Sequence, residues 1–357
     1  MTTTQSHDGQ PAGQAKQTVR EPGWRTQRPL EPPPGDIAER LLAAIAEHRL
    51  LTVEQLRILC GWRDDEGCYA SRQYISKQLH ALEELGYVRW VRRRGGQGGV
   101  WFVTQLGADA AALAGGPADR RIVVLRESQV RARTQAHTLG VNAVGVAFAR
   151  WARHSGDASA WTNEVSHKVM EGAGPSKGLL NADAYLRCDS PLGPGRWAFR
   201  GFFVELDRGH MTPGQLGEKL RRYGQFATFT LRGATRPAWQ GFYGRYPTVL
   251  YVFASPKQRR RGESASTFVA RTRPQLLERV DSLAAFCDAD PLLGGLLTGD
   301  RPAGDVMRVR FCLLEDLEQL GPYVNIALDP ACGEWSPLLG RSGPAGEAAD
   351  DDAEPAA

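Results

Sequence analysis

The sequence is poor in the features that mark most specialised protein classes. Its six cysteines, at 60, 68, 188, 287, 312 and 332, form no CxxC pair and no regular spacing. That excludes a zinc cage on paired thiolates and a disulfide-stapled scaffold, and fits reduced thiols in a cytoplasmic protein. No uncharged apolar run reaches the roughly 20 residues of a membrane-spanning helix, and the N-terminus carries no apolar signal core, so no membrane partner and no standard secretion are expected. No GxxxxGK[ST] phosphate loop occurs, which argues against an ATP-driven helicase. No His-x-His occurs either, so a His–hydrophobe–His metal motif with a nucleophilic tyrosine has no support. Charge of one sign is also scarce: the net charge is only +4 over 357 residues. Any nucleic-acid surface must therefore come from local asymmetry.

What is present is a chain of ordinary hydrophobic content, 42%, long enough for two domains. Residues 1–35 are rich in Gln, Thr, Pro and Gly and end in Pro32-Pro33-Pro34, a composition that cannot bury enough surface to order itself. Residues 338–357, with Asp350-Asp351-Asp352, read as an acidic disordered tail. Between them, 36–114 and 115–337 form two globular blocks.

In the first block Ile37, Leu41, Leu42 and Ile45 recur at helical spacing. Thr52-Val53-Glu54-Gln55 is a capping box opening a second helix that ends near Cys60-Gly61. Ser71 caps a third, with Ile75, Leu79 and Leu82 as its buried stripe and Gly86 as its stop. Val88 to Arg94, a Gly-rich turn and Val100 to Val103 then make a hairpin, in whose core Trp90 and Trp101 are placed. Helix, helix, helix, hairpin resembles the winged-helix family, and that resemblance implies binding to double-stranded DNA. The third helix exposes Arg72, Gln73, Ser76, Lys77 and His80, types that reach phosphates and base edges. Arg92, Arg93 and Arg94 at the hairpin tip suit a neighbouring backbone or minor groove. From Ser71 to Gly95 there are six Lys/Arg against two Glu.

The second block opens with a helix predicted from about Glu127 to Arg153, with His137 on its apolar face read as a core histidine. Strands follow near 161–169, 179–187 and 197–207, and Thr212-Pro213-Gly214-Gln215 then starts a helix that buries Leu216, Leu220 and Tyr223. A buried strand at 248–254, a helix at about 275–286 and a strand at 307–314 complete the block. Alternation puts Asp183 on one face with Asn181 and Tyr185, and Glu205 with Asp207. If the two strands pair, three acids meet. Like charges opposite each other destabilise a sheet, and a hard divalent cation is the usual reason to tolerate them. Glu164, on the strand before, either joins such a site or is a solvated acid. Arg259-Arg260-Arg261 either clamps phosphates or is a solvated loop.

This order of elements resembles the PD-(D/E)xK nuclease core over about Glu127 to Ala254, giving an α/β and α+β fold in which a winged helix precedes a restriction-endonuclease-like mixed sheet flanked by helices. The resemblance implies Asp183 and Glu205 as ligands of Mg2+ or Mn2+, with the Leu206 carbonyl beside them. It departs where Ala182 replaces the usual Pro and Asp207 stands at the catalytic Lys position. Lys219, on the next helix in a stripe with Gln215 and Arg222, is the substitute; Tyr223 lies one turn on and stays open as a covalent nucleophile. Asp207 serves as a third ligand or pairs with Arg208. The run Glu-Leu-Asp-Arg-Gly at 205–209, then Lys-Leu-Arg-Arg-Tyr at 219–223, below a winged helix, resembles the replication-relaxation family, which often has Thr where His210 stands. That resemblance implies a role in plasmid or mobile-element replication or relaxation, with replication proteins as further partners. The chemistry stays between Mg-dependent nicking, through Asp183, Glu205, Lys219 and Asp207, and a non-catalytic initiator or transcriptional regulator.

Overall fold

Apolar spacing, caps and turn residues place most of the elements. The computed structural model describes residues 35–340 apart from 64–67, 94–97, 114–121, 133, 172–177, 194–195, 255–261 and 299–305. The N-terminal tail, Arg94 and Arg259 to Arg261 thus lie outside the described residues, as does the acidic tail beyond 340. Leu338 and Leu339, assigned to that tail, are instead buried, and their backbone N–H groups donate to Pro322 O at 2.9 Å. Their apolar side chains belong to the core rather than to the tail.

The first elements are α1 (Asp36–His48), β1 (Leu51–Thr52), α2 (Val53–Cys60), β2 (Trp62–Arg63), β3 (Cys68–Tyr69), α3 (Arg72–Glu84), β4 (Val88–Arg92), β5 (Gly99–Val103) and α4 (Gln105–Leu113). The Thr52 hydroxyl accepts the Gln55 N–H and the Gln55 side chain returns to the Thr52 N–H, so α2 starts on a complete capping box. Ser71 caps α3 through the Tyr74 N–H. Gly86, at φ 80, turns the chain into β4, a left-handed value that glycine adopts without strain. β4 and β5 pair antiparallel, β1 adds on the far side of β5, and Leu41, Ile45, Ile75, Leu79 and Trp101 share one core.

The chain continues through α5 (Glu127–Val130), α6 (Gln135–Ser155), β6 (Ala158–Lys168), β7 (Leu179–Gly193), β8 (Arg196–Asp207), α7 (Pro213–Thr228), β9 (Thr248–Phe253), α8 (Ala265–Asp288), β10 (Val309–Leu313), α9 (Leu314–Leu320), β11 (Ala327–Asp329) and β12 (Glu334–Ser336). The seven strands from β6 onward form one mixed sheet in the order β12-β11-β10-β9-β8-β7-β6. β8, β9 and β10 run parallel; the remaining pairs are antiparallel. A parallel centre needs cover on both faces, which explains near-continuous apolar runs such as Thr248–Phe253. One face packs on α7 and α8 through Phe203, Leu220, Tyr251 and Leu283; the other packs on α6 and α9 through Val144, Phe148, Val204 and Leu317.

Two helices differ from the sequence pattern. The helix expected from Glu127 is broken, because the buried Gln135 side chain donates to Val130 O at 2.9 Å and takes a carbonyl that continuous helix would need. The later helix begins at Ala265, not after Pro274. An internal proline removes one backbone bond; here Arg273 bonding Asp316 (2.9 Å) and the buried Thr272 hold the turn in which it lies.

The N-terminal elements and the sheet belong to one compact unit. Asn142, wholly buried on α6, donates to His48 O (3.0 Å) and Leu50 O (2.7 Å), while His48 Nδ1 lies 3.3 Å from its Oδ1. Gln55 donates to Leu139 O, Asn163 to Glu47 O, and Arg153 to the Ile58 and Leu59 carbonyls. Leu50, Val91, Val100 and Phe102 share a core with Val130 and Leu139.

Replacing Asn142 with Leu strands two buried carbonyls, at about 1–3 kcal/mol each; urea denaturation is expected to show a loss of about 2–4 kcal/mol. Burial lowers the His48 pKa from 6.5 to about 4, against a smaller opposing effect of Asn142. The unfolded chain takes up this proton below its ordinary pKa while the fold refuses it. Stability from this residue is therefore full above that pKa and falls as pH drops toward 4. The loss between about pH 7 and about pH 5 is expected to be about 2 kcal/mol, and His48→Gln should flatten that slope.

Candidate functional site at the fork of two strands

β7 and β8 pair from Gly193↔Arg196 to Ala184↔Val204 and then part. β8 carries on beside β9 as far as Asp207↔Phe253, while β7 stays with β6 to Leu179↔Lys168. Asp183 stands at the mouth of this fork. Its Oδ2 accepts the Leu206 N–H at 2.9 Å, a donor that a paired strand would otherwise satisfy.

The β6–β7 ladder is interrupted opposite the same residue: Asn163↔Ala184 and Val165↔Ala182 pair, but Glu164 and Asp183 do not. Glu164 has φ 47 and reaches Arg49 at 2.5 Å. Two carboxylates facing each other across a ladder repel, and each turns to its own partner. Glu164 is thus an ion-pair acid beside the N-terminal elements. The interruption also overturns the expected alternation. Leu180 and Ala182 face α7, Ala184 and Leu186 face α6, yet Tyr185 packs on the α7 side. Asp183 therefore does not share one continuous face with Asn181 and Tyr185.

Glu205 is 1% exposed. Its Oε2 accepts Lys219 Nζ at 2.5 Å and its Oε1 accepts the Tyr223 hydroxyl at 2.6 Å. Lys219 and Tyr223 lie four apart on α7, so both reach down from one stripe. Lys219 Nζ is also 3.7 Å from Asp183 Oδ1, and His137 Nε2, from α6, is 3.3 Å from Asp183 Oδ2. Burial, then the Asp183 charge, push the Glu205 pKa up to about 7, against the opposing pull of Lys219 and Tyr223. Burial also works to raise Asp183, but His137, Lys219 and the Leu206 N–H outweigh it and hold its pKa low. Burial disfavours the Lys219 ammonium, and the two carboxylates more than compensate, so its pKa rises.

Asp207 is elsewhere engaged. Its Oδ1 accepts the N–H groups of Gly209, His210 and Met211, and its Oδ2 pairs with Arg279 of α8. Its cation is Arg279, not the adjacent Arg208, because its buried side chain faces α8. Asp207 fixes the turn before α7, which opens on Thr212, Pro213 and a Gln215 capping box. That turn sets where Lys219 arrives. Gln215 is spent on the cap, and Arg222 donates to Leu179 O at 2.7 Å, so only Lys219 of the expected stripe reaches the acids. His137 is half-exposed at the edge of the site, not a core residue. Gly140 lets α6 come this close: a Cβ there would meet the Leu206 side chain at 2.5 Å. Tyr223 is fully buried, burial and then Glu205 drive its pKa well above 10, and its hydroxyl is committed as a donor to Glu205.

No group of three or more His, Cys, Asp or Glu side chains is arranged to hold a metal among the described residues. Mg2+ asks for less: it keeps several waters and takes one or two carboxylates together with substrate phosphates. Asp183 and Glu205 offer hard oxygens converging on one cation, Lys219, which offsets one of their two charges. The donor set fits such an ion.

On the N-terminal elements Arg72, Gln73, Lys77 and His80 are exposed along α3, Ser76 is half-buried, and Arg92 at the end of β4 and Arg93 just after it are exposed. Arg94 lies outside the described residues. Trp101 is buried as expected, with the His80 ring edge on it. Trp90 is not core: it is 45% exposed beside Arg89 and Arg92, since β4 is the edge strand. Among the described residues no helix is long and apolar enough to cross a membrane.

The sequence profile of the replication-relaxation family matches residues 42–236. The chain belongs to this family. The matched span reaches from α1 past α7 and takes in Asp183, Glu205 and Lys219. No curated protein and no solved structure is significantly similar to the chain. Membership in the replication-relaxation family suggests a role in replication or relaxation of plasmid or mobile-element DNA.

Lys219→Met leaves the buried Glu205 without its cation, a class of change that costs about 3–5 kcal/mol. At about pH 5 Glu205 takes a proton and escapes much of that cost; urea denaturation is expected to show a larger loss at about pH 8 than at about pH 5.

Proposed function

We propose that this chain binds double-stranded DNA through α3 and the β4–β5 hairpin and nicks it at the Asp183–Glu205 pair. The observation that carries the reading is the convergence of Asp183, Glu205 and Lys219 at the strand fork. Helix, helix, helix and hairpin in the first elements support a winged helix, with basic side chains on both parts that would dock. A carboxylate at a strand fork, a second two strand residues before a turn and a lysine from the following helix support a PD-(D/E)xK-like core with a migrated lysine.

Mg2+ or Mn2+, when bound to Asp183 and Glu205, would polarise the scissile phosphate and lower the pKa of a water. The protein's own share is positional and electrostatic. The Leu206 N–H and His137 orient Asp183; Tyr223 fixes Glu205. Lys219 keeps its proton and neutralises charge developing on the phosphate. Asp207 and Arg279 hold the turn that delivers Lys219.

One observation favours a second reading, a non-catalytic initiator or regulator: Lys219 and Tyr223 already engage both Glu205 oxygens, as in a purely structural ion pair. Purified protein with supercoiled plasmid and Mg2+ or Mn2+ separates the two. Nicking is expected from the native chain, with loss in Asp183→Ala/Glu205→Ala and a rate about a hundredfold lower or worse in Lys219→Ala. All three should keep salt-sensitive duplex binding. Nicking that persists in the double variant rules out this site, and binding without cleavage under either ion leaves the second reading.

A further inference from the structure

The face of the sheet that carries Glu205 is covered by α7 and α8 only part of the way along β8. Phe203 is buried, Gly201 half-buried, and Phe199 and Trp197 are 41% and 43% exposed. Beyond Phe203 the β7–β8 hairpin therefore runs on with one side bare. Polar residues would be the ordinary choice there; this chain instead displays aromatic rings.

A second segment brings more of them. The loop after the turn Ala238–Gly241 lays Phe242, 66% exposed, beside Tyr243. Tyr243 packs on Tyr185 of β7 at 4.9 Å between ring centres. Gly201 makes this possible, because a Cβ there would meet the Tyr185 hydroxyl at 2.9 Å. Between the loop and the hairpin lies an open recess of about 290 Å3, lined by Tyr185, Arg187, Phe199, Phe242, Tyr243 and Arg245. Among the described residues no carboxylate lines it. The Arg187 guanidinium sits 4.7 Å from the Phe199 ring centre and is oriented by Asp189 at 2.7 Å.

The geometry points to a binding site for single-stranded DNA at this recess. Its wall chemistry, arginines between exposed rings with no acid among the described lining residues, selects a polymer that is anionic along its backbone and carries flat aromatic groups. A duplex hides the faces of its bases and shows only their edges; a single strand exposes them for stacking on Phe199, Phe242 or the Arg187 plane. The recess is on the sheet, separate from α3 and the β4–β5 hairpin. It holds whether or not Asp183 and Glu205 cut DNA.

The test is fluorescence anisotropy of the full chain, without divalent metal, on a labelled oligothymidylate of about twelve nucleotides and on a mixed-sequence duplex. Phe199→Ala/Phe242→Ala is expected to weaken single-strand binding about tenfold or more and duplex binding by less than about threefold. Phe242→Tyr should retain single-strand affinity, since a phenol ring also stacks. Arg187→Gln should lower the salt slope on the single strand by about one. Both phenylalanines are exposed, so the fold is expected to survive, with thermal melting as the check; should the double variant melt early, Phe242→Ala alone carries the comparison. No measurable binding of the oligothymidylate by the native chain, an unchanged affinity in the folded variant, or an equal loss on duplex overturns the assignment.

Discussion

A negative charge taken out of water at Glu205 is the constraint around which the second half of the chain is arranged. An unpaired ion in such a place costs several kcal/mol, so a cation and a hydroxyl must arrive from above, and both come from α7. α7 can deliver them only if the turn at its start is fixed, which is the work of Asp207. Asp207 is itself buried and needs Arg279, from α8. Two acids two residues apart on one strand thus bind the sheet to two different helices. Removing any member of the chain Glu205, Lys219, Asp207, Arg279 loosens the next.

This network is also incompletely neutralised. Asp183 and Glu205 face one ammonium between them, and the presence of Asp183 is one reason Glu205 resists ionisation. A structural ion pair gains nothing from a second carboxylate at its side. The second carboxylate, kept against that electrostatic cost, is the feature on which the proposed function rests.

Much of this was readable from residues alone, and the division is physical. Thr52, Ser71 and Thr212 declare helix starts because caps act within four residues. The acids at 183 and 205 stand out as charges among the apolar residues of their strands, whereas Lys219, among Glu218, Arg221 and Arg222 on α7, is marked only by its place on the helix that follows. What was not readable depends on partners distant in sequence. The switch of facing at Asp183 arises from a repulsion across to Glu164 and from the loss of β8 as a neighbour. His137 looked like core because its helical stripe is apolar, yet α6 ends its cover just there. Arg279 and Arg273 gave no signal, since an arginine on a helix is ordinarily solvated. The helix expected from about 275 starts ten residues earlier and runs through Pro274, because the tertiary contacts that offset the proline's local cost come from elsewhere in the chain.

α6 carries two duties on one rod. About two turns in, Asn142 is bolted to the backbone of the first elements, and the start of the helix holds His137 against Asp183. A rigid spacer of this kind behaves as a calliper. The separation between the place where a duplex would be read and the place where it would be opened cannot be adjusted by a swinging linker. Rotational phase along the double helix, more than strength of grip, would then decide which strand is presented, and moving a recognition sequence by half a helical turn would turn the opposite backbone toward the fork.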